Sequence, residues 1–132
     1  MSDGVVVQFL GAVVVVVAIG FGCSAAPVQL AQATPDAATL FREGQALYAS
    51  RCAMCHGLHG EGDYGPRIEA STVVADTQQL IMQMFVGTED GMSPQFYREL
   101  SDREIAATAT FVRGALGNNF GPVFPNEVAG LR

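Results

Sequence analysis

Apolar and polar positions divide the chain into contrasting stretches. Residues 4–22 (GVVVQFLGAVVVVVAIGFG) form an uncharged run of 19 residues. That length is marginal for a membrane span and also suits the apolar region of an export signal. Residues 24–38 are small and Pro-bearing, with Asp36 their one charge, and read as a processing region or linker. From Ala38 to Ser50, residues Leu40, Phe41, Gly44, Leu47 and Tyr48 recur at helical spacing and predict an amphipathic helix. Thr34 or Asp36 is its expected cap. Gly44 in mid-helix costs about 1 kcal/mol against Ala, so its place on the apolar face predicts a second helix crossing closely there.

A second helix is expected over Asp76–Val86, with Asp76 as N-cap and Leu80, Ile81, Met84 and Phe85 as its stripe. A third opens at Ser101 with a capping box answered by Glu104, and turns Ile105, Thr108, Ala109, Phe111 and Val112 inward. Phe111 can lie over the gap at Gly44, so ridges-into-grooves packing of the first and last helices is expected. Residues 114–132 carry Gly, Asn and Pro throughout and predict an extended segment, pinned by Phe120, Val123, Phe124 and Val128.

Charge narrows the partners. Thirteen acidic residues face seven basic ones, all of them Arg, for a net charge of -6. With no Lys and this balance, the chain is not expected to bind nucleic acid or to be drawn to an anionic membrane surface.

The candidate chemistry lies directly after the first helix, where residues 52–56 read Cys-Ala-Met-Cys-His. This is the pattern for covalent haem attachment. Cys52 and Cys55 sit on one turn, so each can add across a haem vinyl group, and His56 is close enough to offer an imidazole to the iron. A zinc site would need two further ligands, and only Cys23 and His59 are left; a thioredoxin-type pair would need a βαβ frame that the pattern lacks. Glycines at 57, 60, 62 and 65 let the following loop wrap a flat ligand. The carbonyl of Pro66 is free to accept from the second ring nitrogen of His56, the bond a metal-bound His usually makes.

The sixth iron ligand is expected from Met92. It stands between Gly91 and Pro94, past the end of the second helix, and 36 residues after His56 it can return to the opposite haem face. Met82 and Met84 fall on a helix, where methionine more often packs, and His59 lies too near His56, so it reads as an exposed loop residue. With both axial positions filled by protein, outer-sphere electron transfer is expected and catalysis is not.

Tyr48 ahead of the Cys-x-x-Cys-His-Gly run, Gly60, Gly62, Pro66, Gly91-Met92-x-Pro94, Leu100-Ser101-x-x-Glu104-Ile105 and Phe111-Val112 together resemble the class I, mono-haem cytochromes c of bacteria over residues 37–113. The resemblance implies an all-α fold of three to four helices around one covalently bound haem c. It also implies His56 and Met92 as axial ligands and Pro66 as the proline that holds the proximal His. Two positions depart from the family pattern: Arg67 stands after the loop proline, and Thr108 lies on the last helix, where apolar residues are commoner. The 114–132 segment, with Gly117-Asn118 and the ending Val128-Ala129-Gly130-Leu131-Arg132, is similar, more weakly, to cytochrome domains that accept electrons from periplasmic dehydrogenases.

The expected organisation is a signal peptide or membrane anchor over 1–23, a linker over 24–36 and a cytochrome c domain over 37–132. Cleavage after Ala31-Gln32-Ala33, lipidation at Cys23 and an uncleaved 4–22 anchor are three alternative fates, and each places the haem domain in the periplasm, free or attached to the membrane. The expected function is a one-electron carrier between dehydrogenases and an oxidase or similar acceptor. Alternatives are a fixed haem subunit of a membrane-bound redox complex and a sensor or peroxidase in which Met92 leaves the iron; a peroxidase would need distal acid-base groups, for which His59 is the only spare His.

Overall fold

Asp36 caps α1 (Ala37–Arg51) by accepting the Thr39 N–H at 2.8 Å. In the computed structural model, residues 34–89, 91–92 and 96–132 are described. The uncharged run, Cys23 and the 31–33 cleavage site lie outside them, as do Asp90, Ser93 and Pro94. Among the described residues every element is helical, and no helix is long and apolar enough to cross a membrane.

A single turn, α2 (Ala53–His56), follows α1 directly, and α3 (Thr72–Ala75) is another single turn. Asp76 caps α4 (Thr77–Val86) by accepting from the Gln79 N–H at 2.9 Å. After α5 (Phe96–Glu99), Ser101 and Glu104 form the expected capping box at the start of α6 (Asp102–Gly114). The chain then runs irregularly to α7 (Pro125–Ala129). The three longer helices are the three that periodicity predicts, and Leu80, Ile81, Met84 and Phe85 are all buried.

The crossing of α1 with α6 is the main internal interface. Gly44 makes it possible: a Cβ built there would run into the Ala107 carbonyl and come within 2.9 Å of the Phe111 Cβ. The close approach is therefore to the α6 backbone first, with the Phe111 ring set between Phe41 and Tyr48 at centroid distances of 5.2 and 5.4 Å. Thr108 does not disturb this packing, because its hydroxyl donates to the Glu104 carbonyl of its own helix at 2.8 Å.

One expectation fails. The 114–132 segment is not extended throughout: Gly114 still belongs to α6, Pro125 supplies a preset first helical position for α7, and Glu127 accepts the Phe124 N–H at 2.7 Å. Val123 and Val128 are fully buried, Phe124 is half-buried, and Phe120, 38% exposed, lies under the Arg113 guanidinium. With this segment on its outer side, α6 is buried all round from Ile105 to Arg113. Thr110 accepts the Val123 N–H and donates to its carbonyl, both at 3.0 Å, so a polar side chain is satisfied inside the core. Arg113 is buried as well, and its guanidinium donates to the carbonyls of Val74 (2.6 Å), Ala75 (2.9 Å) and Gly121 (3.0 Å). That joins the end of α3 to the segment after α6.

Candidate functional site

The junction of α1 and α2 brings Cys52, Cys55 and His56 onto one short stretch of chain. Cys52 ends α1 with its N–H on the Tyr48 carbonyl at 2.9 Å, and its own carbonyl accepts from Cys55 (3.1 Å) and His56 (2.9 Å). The motif is thus clamped to the helix before it. Tyr48 adds a second tie, its buried hydroxyl donating to the Gly57 carbonyl at 2.7 Å. Burial pushes the Tyr48 phenol up to about 12, so it is a neutral donor across the physiological range.

Beyond His56 the loop turns back on itself. Gly57 has φ of 80°, and a side chain there would meet the Glu61 carboxylate. Glu61 also accepts the His59 N–H at 2.7 Å, and His59 itself is exposed, as the sequence predicts. Gly65 donates to the Cys55 carbonyl at 2.7 Å and lies close against the imidazole, where an added Cβ would be 3.0 Å from His56 Cε1. That approach places the Pro66 carbonyl 2.8 Å from His56 Nδ1. A carbonyl oxygen can only accept, so Nδ1 carries the proton and Nε2 keeps a free lone pair.

A cavity of about 250 Å³ opens beside this stretch, lined by Tyr48, Cys52, His56, Pro66, Ile68, Val74, Leu80, Met84, Met92, Phe96, Thr108 and Val112 among others. A second hollow of about 390 Å³ shares Cys52, His56, Pro66, Met92 and Phe96 with it and adds Cys55, Tyr64 and Arg51. All five residues singled out in the sequence therefore meet at one place, since Cys52, His56, Pro66 and Met92 line both spaces and Cys55 the second. Of the two helical methionines, Met84 is buried and lines the first space, while Met82 is 38% exposed.

The lining is mostly apolar, with one imidazole and two thioethers, Met84 and Met92, as its donors and two thiols on one side, which fits an iron porphyrin bound through thioethers. It does not fit a redox dithiol. Burial, helped by Cys55, pushes the Cys52 thiol up to about 11, the reverse of the lowered pKa such a pair needs. Nor does it fit zinc, because no three His, Cys, Asp or Glu side chains gather as a metal site among the described residues.

Several contributors escape a reading of the sequence. Phe96 walls the cavity with no periodic signal toward it. Asn118 is buried and holds the loop wall, accepting the Ala70 N–H at 2.9 Å while donating to the carbonyls of Val112 (2.9 Å) and Ile68 (3.4 Å). The Gly117-Asn118 pair is its only sequence signal. Arg67 lines the first cavity but is mostly exposed and paired with Glu69 at 2.8 Å.

Comparison with known proteins agrees with this site. Residues 39–112, more than half of the chain, match the family described as cytochrome C oxidase, cbb3-type, subunit III. Among solved structures the chain is similar to cytochrome CL from the marine methylotrophic bacterium Methylophaga aminisulfidivorans MPT, at 30% identity and a TM-score of 0.52. The match covers 57% of this chain and 52% of that one, so the chain spans about half the length of that cytochrome. No curated protein matches. The apolar cavity, the Cys-x-x-Cys-His stretch beside it and the match over residues 39–112 place the chain in the family of cbb3-type subunit III cytochromes c, as a class I c-type cytochrome with covalent haem c.

Proposed function

We propose that the protein is a periplasmic one-electron carrier whose haem c is bound through Cys52 and Cys55 and ligated by His56 and Met92, and which passes electrons between a dehydrogenase and an oxidase or similar acceptor. The observation that carries the ligand assignment is the 2.8 Å contact of His56 Nδ1 with the Pro66 carbonyl, which fixes the tautomer and leaves Nε2 for a metal. When bound, haem c supplies the one-electron couple at its iron. His56 orients through Pro66, and Gly65 excludes any side chain that would displace that carbonyl. Met92 offers a neutral sulfur, and a His/Met pair raises the potential relative to stronger donors. Tyr48, Leu80, Met84 and Val112 exclude water from the centre.

The partner face follows from exposure and charge. Met54 and Tyr64, beside the thiols, are 79% and 88% exposed. Arg51 and Arg67 nearby are paired with Glu99 and Glu69, which leaves Glu89 and Asp63 as negative groups in the surrounding loops. A partner with an apolar centre and a basic rim suits such a face.

The test is spectroscopic. Cys52→Ala or Cys55→Ala is expected to weaken holoprotein formation, and acidified organic solvent is expected to leave the haem on the wild type. Met92→Ala is expected to abolish the near-red sulfur-to-iron band of the oxidised protein and lower its potential, while Met82→Ala and Met84→Ala keep both. Loss of the band in a helix variant alone would move the ligand role there. The uncharged run at 4–22 favours a second reading, a haem subunit fixed in a membrane-bound complex. The intact mass of the mature protein separates the two.

A further inference from the structure

Met92 is held by its own loop from the side of α4. Its N–H donates to Thr88 Oγ1 at 3.3 Å and its carbonyl accepts the Thr88 N–H at 3.2 Å, so the approach from α4 is fixed. On the other side the chain enters α5, a single turn that cannot hold itself together in isolation. What secures α5 is a side chain from far along the sequence. The Arg132 guanidinium donates to the carbonyls of Tyr97 and, at 2.7 Å, Leu100, and to the Asp102 carboxylate at 2.5 Å. It also lies over the rings of Tyr97 (4.7 Å) and Phe85 (5.1 Å), which themselves meet edge-on. One planar group thus joins α4, α5 and the start of α6. The other polar tie of α5, Arg51 to Glu99, is an exposed ion pair and contributes little.

We propose that Arg132 is a positioning residue for the axial ligand: by fixing α5 it holds Met92 on the iron and keeps exogenous ligands out. The inference rests on the reading of Met92 as sixth ligand. It does not depend on a contact between Arg132 and the haem. An added ligand binds only the fraction of molecules in which Met92 has left, so its apparent affinity measures that fraction directly. Losing the charged hydrogen bonds and the two ring contacts is expected to raise that fraction about tenfold.

The experiment is an imidazole titration of the oxidised holoprotein, followed by the near-red band. Arg132→Ala is expected to bind imidazole about tenfold more tightly than wild type and to lose the band at a lower temperature. Arg132→Lys keeps a charge opposite Asp102 without the planar fork, and is expected to fall between them. Glu43→Gln, which cuts the surface pair with Arg103 at 2.8 Å, controls for general loss of stability and is expected to leave imidazole affinity unchanged. If Arg132→Ala binds imidazole as wild type does, or shifts no more than Glu43→Gln, the proposal is wrong. Should Arg132→Ala yield no holoprotein, Arg132→Lys and Asp102→Asn decide by the same criterion. A Met92→Ala protein that keeps the band would overturn the ligand reading itself, whatever the Arg132 variants do.

Discussion

Gly44→Ala is the sharpest probe of the helix crossing. The added methyl would overlap the Ala107 carbonyl oxygen and stand 2.5 Å from its carbon and 2.9 Å from the Phe111 Cβ. The first two are backbone atoms inside α6, so no rotamer change relieves them, and the helices must part by about 1 Å. A gap of that size forfeits roughly a quarter to a half of each contact across the interface. Overpacking costs about 1–3 kcal/mol, and Ala returns about 1 kcal/mol through its better helix propensity. Adding the loosened contacts around Phe41, Tyr48 and Phe111, the net loss is about 2–3 kcal/mol. For a domain of this size that lowers Tm by about 10–20 °C. Thermal unfolding of the holoprotein by far-UV circular dichroism measures it, with exposed Gln45→Ala as the control expected to change little. A Gly44→Ala protein melting with the wild type would refute a close backbone approach at this point.

Tyr48→Phe removes the 2.7 Å bond to Gly57 and is expected to cost about 1 kcal/mol, read as a Tm lower by about 4–8 °C. Arg113→Met strands the buried carbonyls of Val74, Ala75 and Gly121; a loss of about 3 kcal/mol or more is expected, with faster hydrogen exchange around α3. The Glu104 carboxyl is held below its ordinary 4.5, first by the Ser101 hydroxyl and then by the Ser101 N–H. Its folded pKa is depressed, so its contribution is present above pH 4.5 and is lost as pH falls through the lowered value. Glu104→Gln is accordingly expected to flatten that part of the acid-unfolding profile, and an unchanged profile would contradict the capping box. Electron transfer with a basic-rimmed partner is expected to slow between 0.01 and 0.1 M salt, as the Debye length falls from about 30 to about 10 Å. Glu89→Gln with Asp90→Asn is expected to flatten that slope in stopped-flow measurements.

Local chemistry in this chain is legible because it is written in neighbouring residues. Asp36, Asp76 and Ser101 announce helix starts three residues ahead of the donors they meet. Cys52, Cys55 and His56 need only one turn to come together, and Gly44 signals its partner because mid-helix glycine is otherwise costly. What stays hidden depends on distant segments. Nothing near Arg113 or Arg132 in the sequence announces the burial of the one or the docking of the other; only the folded chain supplies the carbonyls and rings that receive them. The inner stripe of α6 is correct, yet periodicity cannot reveal that a later segment covers its other side. The turn at Pro125 is encoded in Pro-Asn-Glu, but the Gly and Asn before it outweigh that signal.

The crossing of α1 and α6 also bears on how the protein is made. Glu43 and Arg103, which bridge it, lie 60 residues apart, so a long loop must close before any contact repays the entropy. Cys52 to His56 lie inside that loop, immediately after α1. A chain synthesised from its N-terminus presents both thiols while α6 has yet to emerge, and so before Thr108 and Val112 can wall off the space beside Cys52. Biogenesis thus has an open interval in which Cys52 is accessible. Its length is set by the time taken to deliver α6, and once the crossing has formed it closes from the side of Cys52, a thiol whose pKa burial raises.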